Sequence, residues 1–357
     1  MAGYMPGEQP QDGEYIKLNT NENPYSPSDS IRAAVDKTLC RGLRRYPDAV
    51  AWEFRRRAGE LFGVPPEWIL CGNGSDDILT ILTRTFVSPG DLLRLPAPSY
   101  ILYRSLAEIQ GAVWEEVPLT ADWRVPPDFT SVHATQLPAG VADTDRNGAR
   151  LRAKLAFLPN PNSPTGTWIP VDEMERLVEL MPCPLVIDEA YVDFVEPAAD
   201  CVGLVKRHEK AIVTRTLSKS YALAGLRFGF CIAQPAVIEQ LMKVKDSYNC
   251  DSLSIAIATA AISDQAWLTK NRRRILATRR TLTDGMRQLG FDVTESQANF
   301  TWNTHPAHNA RTLYERLREH KILVRCMSYA GFGTGLRISV GTDAENEQLL
   351  TTLSAIM

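Results

Sequence analysis

Short apolar runs separated by helical patterns constrain this chain more than any other feature. Residues 155–158, 184–187 and 211–213 are apolar stretches of only a few residues each, and 92–95 and 113–117 also read as short strands. Between them lie helical spacings. One puts Ile78, Leu82 and Phe86 on a single face of Ser75–Phe86, and another repeats with Met174, Leu177, Val178 and Met181 after Pro170. Strands alternating with helices are the pattern of βαβ units, so the spacing predicts an α/β fold with a mostly parallel sheet flanked by helices. From about Ser252 a long helical region runs to Gly290, and strands near 300–302, 323–325 and 336–340 predict a smaller α+β domain. The expected division is an N-terminal arm that joins the small domain (1–40), a large domain (41–252) and a small C-terminal domain (253–357). The polar stretch 121–148 reads as an insertion or a poorly ordered surface loop. Roughly the first 15 residues read as a mobile arm, as polar termini with nothing to bury tend to be.

Composition excludes several classes of function. With 357 residues and a net charge of −3, there is no basic field to hold nucleic acid, and any anion site must be local. The seven cysteines include no CxxC pair, and a reducing cytoplasm suits such scattered thiols. The first residues lack the basic and apolar regions of a signal peptide, and no apolar run approaches the ~18 residues of a membrane span. Of the five histidines only His305 and His308 are closely spaced, in a loop-like segment, so no metal site is expected.

Asp188 and Lys219 carry the strongest chemical signal. Asp188 ends the apolar run 184–187, and Lys219 follows the run that starts at Ala211. In parallel α/β sheets ligands bind outside the carboxyl ends of strands, so both side chains should enter one crevice. A lysine there can form an imine with an aldehyde, and a carboxylate beside it can keep a pyridine nitrogen protonated. Taken alone, the two residues read as well as an acidic strand end and a surface lysine. Three further segments add weight. Gly72–Gly74 precede Ser75, which opens a helix whose free N–H groups suit a phosphate. The turn 161–166 joins a strand to a helix. Arg227, eight residues past Lys219, can contact a phosphate through two nitrogens. A dinucleotide-binding reading of Gly331, Gly333 and Gly335 fails, because no helix is expected after them.

The ordered set of segments resembles the fold-type I pyridoxal-phosphate aminotransferases, and within them the histidinol-phosphate aminotransferase family. The similarity rests on LNTNENPY at 18–25, RYPD at 45–48, GNGSDD at 72–77, APSY at 97–100, NPNSPTG at 160–166 and DEAY at 188–191. It continues through TLSK at 216–219, GLR at 225–227 and LRISVGT at 336–342, so it spans nearly the whole chain. The resemblance implies pyridoxal 5'-phosphate as cofactor, held by Lys219 as a Schiff base, with Lys219 also moving the proton. It implies Asp188 at the pyridine nitrogen, Tyr191 at the phenolic oxygen and Tyr100 stacked on the ring. The phosphate falls to Gly74, Ser75 and Asp76 with Ser218, Arg227 and Thr216. Tyr46 would reach it from a neighbouring subunit, which implies a homodimer. Arg337 matches the arginine that binds the substrate anion, Arg325 its helper for a phosphorylated substrate, and Tyr25 falls in the segment that covers the substrate.

One departure stands out. Many relatives place asparagine directly before Pro-Thr-Gly, where it bonds the phenolic oxygen. This chain has Ser163 there and Asn162 one place earlier, so either Ser163 supplies a hydroxyl or Asn162 reaches in. The implied reaction is amino transfer between L-histidinol phosphate and 2-oxoglutarate in histidine biosynthesis. An aromatic amino acid aminotransferase and a threonine-phosphate decarboxylase share most of these motifs. A catalytically silent regulator of the same fold would lack Arg325 and Arg337.

Overall fold

The computed structural model describes residues 7–10, 12–145 and 147–357. Among the described residues thirteen strands form three sheets. In chain order they are β1 (Ile16–Lys17), β2 (Ile69–Gly72), β3 (Leu92–Ala97), β4 (Val113–Pro118), β5 (Ala153–Pro159), β6 (Leu185–Asp188), β7 (Ala211–Thr216), β8 (Gly229–Ile232), β9 (Asp292–Val293), β10 (Phe300–Thr304), β11 (Ile322–Leu323), β12 (Arg325–Tyr329) and β13 (Gly333–Ser339). The large sheet has seven strands in the order β2-β8-β7-β6-β5-β3-β4. Only β8 runs antiparallel to its neighbours. Period-2 alternation splits its strands between two cores: Leu185 and Ile187 of β6 face one, and Val186 faces the other.

The C-terminal region has the expected α+β character. A four-stranded sheet, β12-β13-β10-β9, packs with helices Gln265–Gln288, Ala310–Glu319 and Asp343–Ile356 around a third core. The long helix begins against the large-sheet core at Leu268 and enters the third core at Ile275, so it joins the two bodies. The helical region breaks once, where Asp264 caps Gln265–Gln288 by accepting from the Trp267 N–H. The expected strand at 323–325 is divided. Leu323 pairs with β1 and Arg325 with β13, and Val324 lies between them.

Hydrogen bonds tie down parts of both stretches expected to be loosely held. The stretch after Ala121 is irregular, with one short turn at Pro127–Thr130, yet it is anchored as far as Gln136. The completely buried Arg94 pairs with Glu115 at 2.7 Å and donates to the carbonyls of Phe129, Ser131 and His133. Glu115 accepts from the N–H groups of Thr135 and Gln136. A buried ion pair that lends its remaining bonding capacity to a loop backbone fixes that loop without regular structure. Arg146, within this stretch, lies outside the described residues. At the N-terminus, residues 1–6 and 11 also lie outside them, but Glu8 is tied down. Its carboxylate accepts from Tyr314 at 3.0 Å and Arg318 at 2.7 Å, and its carbonyl from Asn19.

Candidate active site

The parallel register of β5, β6 and β7 brings their carboxyl ends to one edge of the sheet, with Pro159 opposite Asp188 and Asp188 opposite Thr214. Asp188 is the last residue of β6 and is buried. Its Oδ2 accepts from the Tyr103 hydroxyl at 2.7 Å, and its Oδ1 accepts from Thr214 Oγ1 and the Ala190 N–H, each at 3.2 Å. Burial pushes this carboxyl above its ordinary range, against the pull of those three donors.

Lys219 lies just past β7, on a loop held at several points. Asn23 Nδ2 donates to the carbonyls of Lys219 and Ser220, at 3.0 and 3.2 Å, and Ser220 Oγ donates to Asp193. The Lys219 ammonium donates to the Thr20 carbonyl at 3.2 Å and stands 5.7 Å from the centre of the Tyr191 ring. Tyr191 in turn accepts at its hydroxyl from Asn21 Nδ2, 3.0 Å away.

A cradle for an anion forms beside them. Helix Ser75–Phe86 starts after Gly74 (φ 88°) with no side chain capping its first N–H groups. Arg227 faces this end, 3.3 Å from Asp76 and 3.4 Å from Ser218 Oγ, and Thr216 Oγ1 lies 3.0 Å from Ser218 Oγ. Two glycines make the close approach possible. A Cβ on Gly74 would stand 2.8 Å from Arg227 Nη2, and one on Gly229 would stand 2.4 Å from the Ser75 nitrogen. Arg227 therefore pairs with Asp76 and at the same time faces the cradle. Tyr100 Oη donates to Asp76 at 3.3 Å.

The roof comes from the small domain and the N-terminal arm. Arg325 and Arg337 are directly opposite each other in the antiparallel pair β12–β13, so both side chains leave the same face. Arg337 donates to Ser163 Oγ at 3.1 Å and to the Asn19 carbonyl at 3.0 Å, and its Nε is buried without a partner. Asn162 Nδ2 is committed to the Pro98 carbonyl and Thr165 Oγ1, and its Oδ1 is left unpartnered. The Ser99 hydroxyl is also buried and unpartnered. A buried polar atom without a protein partner is met by water, an ion or a bound group. Here they belong to segments that border the crevice, which suits a polar, phosphorylated cofactor and an anionic substrate.

A chain of contacts links Asp188, Tyr191, Lys219, Tyr100, the cradle residues, Ser163 and Arg337, and Arg325 lies opposite Arg337 on its strand, whereas Tyr46 and Tyr25 stand apart. Tyr46 is largely exposed and stacks on Tyr248, with ring centres 4.5 Å apart. The Tyr25 ring lies 3.6 Å from the Arg274 guanidinium. Sequence reasoning missed Tyr103, Thr214, Asn21 and Asn23. No sequence signal marked Tyr103, which on helix Leu102–Gln110 has the spacing of a core aromatic.

The chain is similar to known proteins over nearly its whole length. The family Aminotransferase class I and II matches residues 13–353. The histidinol-phosphate aminotransferase of Rhodopirellula baltica is 49% identical over 358 residues, covering 100% of this chain and 94% of that protein. Histidinol-phosphate aminotransferase 1 of a Nostoc strain is 43% identical and covers 100% of this chain and 96% of its own. Among solved structures, a histidinol-phosphate aminotransferase from Sinorhizobium meliloti in complex with pyridoxal-5'-phosphate shares the fold with a TM-score of 0.82. It does so at 24% identity, over 96% of this chain and 92% of that one.

Proposed function

This chain belongs to the aminotransferase class I and II family, and from that premise we propose that it moves the amino group of L-histidinol phosphate to 2-oxoglutarate, giving imidazole-acetol phosphate and L-glutamate. The observation that carries the reading is the meeting of Lys219, Asp188 and the anion cradle at adjacent strand ends, beneath two arginines on one sheet face. When bound, pyridoxal 5'-phosphate supplies an aldehyde that forms an imine with an amine and a ring that draws electrons from the adjoining carbon.

The residues then have distinct tasks. Gly74, Ser75, Asp76, Thr216, Ser218 and Arg227 hold the phosphate, and Asp188 holds the ring nitrogen protonated. Tyr191 donates to the phenolic oxygen, and Tyr100 covers the ring. Lys219 Nζ would hold the cofactor and would carry the proton away from the amino-bearing carbon of the substrate. Ser163 suits the phenolic oxygen better than Asn162 does. Its hydroxyl accepts from Arg337 and keeps its own proton to give, whereas Asn162 has only an acceptor open. Arg325 and Arg337 receive the substrate phosphate. A dianion gains more from two guanidinium groups than a carboxylate does, because it offers more acceptor oxygens and about twice the charge.

The active unit is read as a homodimer in the cytoplasm, with the exposed Tyr46 reaching the partner's cradle. Among the described residues no helix is long and apolar enough to cross a membrane. The deciding experiment measures rates with histidinol phosphate, phenylalanine, tyrosine and threonine phosphate side by side. Histidinol phosphate should lead. Faster turnover of phenylalanine or tyrosine would make the chain an aromatic aminotransferase, and release of CO2 from threonine phosphate would make it a decarboxylase.

A further inference from the structure

Tyr103 belongs to none of the motifs that mark this site, yet it is fully buried beneath it. Its hydroxyl makes the shortest of the three hydrogen bonds that Asp188 accepts, 2.7 Å against 3.2 Å for the other two. The ring cannot swing away. It stacks on Phe157 with centres 4.9 Å apart, and Tyr100 meets it edge-on at 5.5 Å. A carboxylate removed from water drifts toward its neutral form, and the negative charge of Asp76 adds to that drift. The Tyr103 hydroxyl is the largest influence in the other direction. Burial also holds the phenol itself well above its ordinary range, so it stays neutral and donates rather than competing for charge.

We propose that Tyr103 is a positioning residue that fixes the Asp188 carboxylate in one orientation and in its charged form, so that the site's hold on a pyridine nitrogen depends on the Tyr103 hydroxyl. The inference rests on the cofactor reading above. If Tyr103 only filled the core, losing its hydroxyl would act independently of Asp188. If it works through Asp188, the loss should have little further effect once the carboxylate is gone.

The test compares four full-length chains: wild type, Tyr103→Phe, Asp188→Asn and the double variant. Each is stripped of cofactor and titrated with pyridoxal 5'-phosphate, and binding is followed by the visible absorbance of the bound cofactor. The melting temperature of each unliganded chain is recorded. Tyr103→Phe keeps the ring and its stacking. It should weaken binding by about tenfold or more, as expected for losing a hydrogen bond to a charged group. Adding it to Asp188→Asn should change binding by less than about twofold. Normal binding by Tyr103→Phe, or an undiminished effect in the Asp188→Asn background, overturns the inference. Should Tyr103→Phe fail to fold, a folded double variant would support the coupling, because removing the charge would have removed the fault. A double variant that also fails to fold would overturn it. A wild-type chain that takes up no pyridoxal 5'-phosphate sinks the cofactor reading and this inference together, whereas normal binding by wild type and Tyr103→Phe alike sinks the inference alone.

Discussion

The floor and the roof of this site are built by different means. The floor is strand ends: Asp188 and Thr214 are fixed by the parallel ladder of a buried sheet, Thr216 by its antiparallel pairing with Gly229, and Tyr103 is packed from below. The roof is polar stitching across the chain. Asn21 bonds Ser339 from 318 residues away, Asn299 donates to the Asn21 carbonyl, and Arg337 reaches the Asn19 carbonyl. Ladder and core place a group rigidly, because moving it disturbs many contacts at once. Single polar contacts are worth only ~0.5–1.5 kcal/mol each, so they can be remade when a substrate enters. Floor residues should therefore govern the chemical step, and roof residues should govern which substrate is taken.

The strongest test of that division is Lys219, which touches both parts through its strand-end loop and the Thr20 carbonyl. Lys219→Ala should abolish turnover and the borohydride-reducible link between protein and cofactor. A labelled peptide that excludes Lys219, after borohydride trapping, would remove it from the role. The same variant tests the dimer. Mixed with chains whose Tyr46 has been disabled, it should regain activity, since one site per heterodimer would then combine an intact lysine with an intact tyrosine. No recovery after verified subunit exchange would mean that Tyr46 does not act across the interface.

Asp188→Asn probes the floor alone. The change is nearly isosteric, so the fold should survive while the charge is lost. A buried charge pair contributes several kcal/mol and each ~1.4 kcal/mol is tenfold in rate, so kcat should fall at least ~100-fold. Near-normal kcat with cofactor bound would show that the floor does not set the chemistry.

The arginines probe the roof. Loss of a hydrogen bond to a charged group, ~1.5–3 kcal/mol, predicts roughly 10- to 150-fold in kcat/KM. Arg337→Ala should harm both half-reactions. Arg325→Ala should cost more with the phosphorylated amine than with glutamate. Equal losses for both substrates with Arg325→Ala would leave the roof without a role in selecting phosphate.

The two parts were also unequally legible in the sequence. The alternation of 184–187 and 211–213 with helical spacing was enough to place Asp188 and Lys219 at one sheet edge, because strand ends follow from local periodicity. Tyr103 was not legible. On helix Leu102–Gln110 it has the spacing of a core aromatic, and only the tertiary fold aims its hydroxyl at β6. The antiparallel strand β8 escaped notice because it is short and follows directly on the Arg227 turn. The choice between Ser163 and Asn162 was open for the same reason as Tyr103. It depends on which acceptors already hold the Asn162 amide, and those are the Pro98 carbonyl and Thr165 Oγ1.

The smallest expected effect is at Asn21, where roof and floor touch. Its side chain donates to the Tyr191 hydroxyl and accepts from Ser339 Oγ, so it links the small sheet to a cofactor-site tyrosine. Its backbone is left-handed (φ 55°), a conformation asparagine tolerates better than most residues. Two variants separate the side chain from the backbone. Asn21→Gly removes the contacts and tolerates the backbone, so kcat/KM should fall only about 2- to 10-fold, the worth of one ordinary hydrogen bond. Asn21→Ala removes the same contacts and adds strain of about 1–2 kcal/mol, which should appear as a lower melting temperature with little further loss of rate. If the roof acts as a remakeable closure, saturating histidinol phosphate should recover most of the lost rate in the glycine variant, because the defect lies in binding. A glycine variant that loses kcat and keeps its KM would place Asn21 with the floor instead, acting on the chemical step through Tyr191.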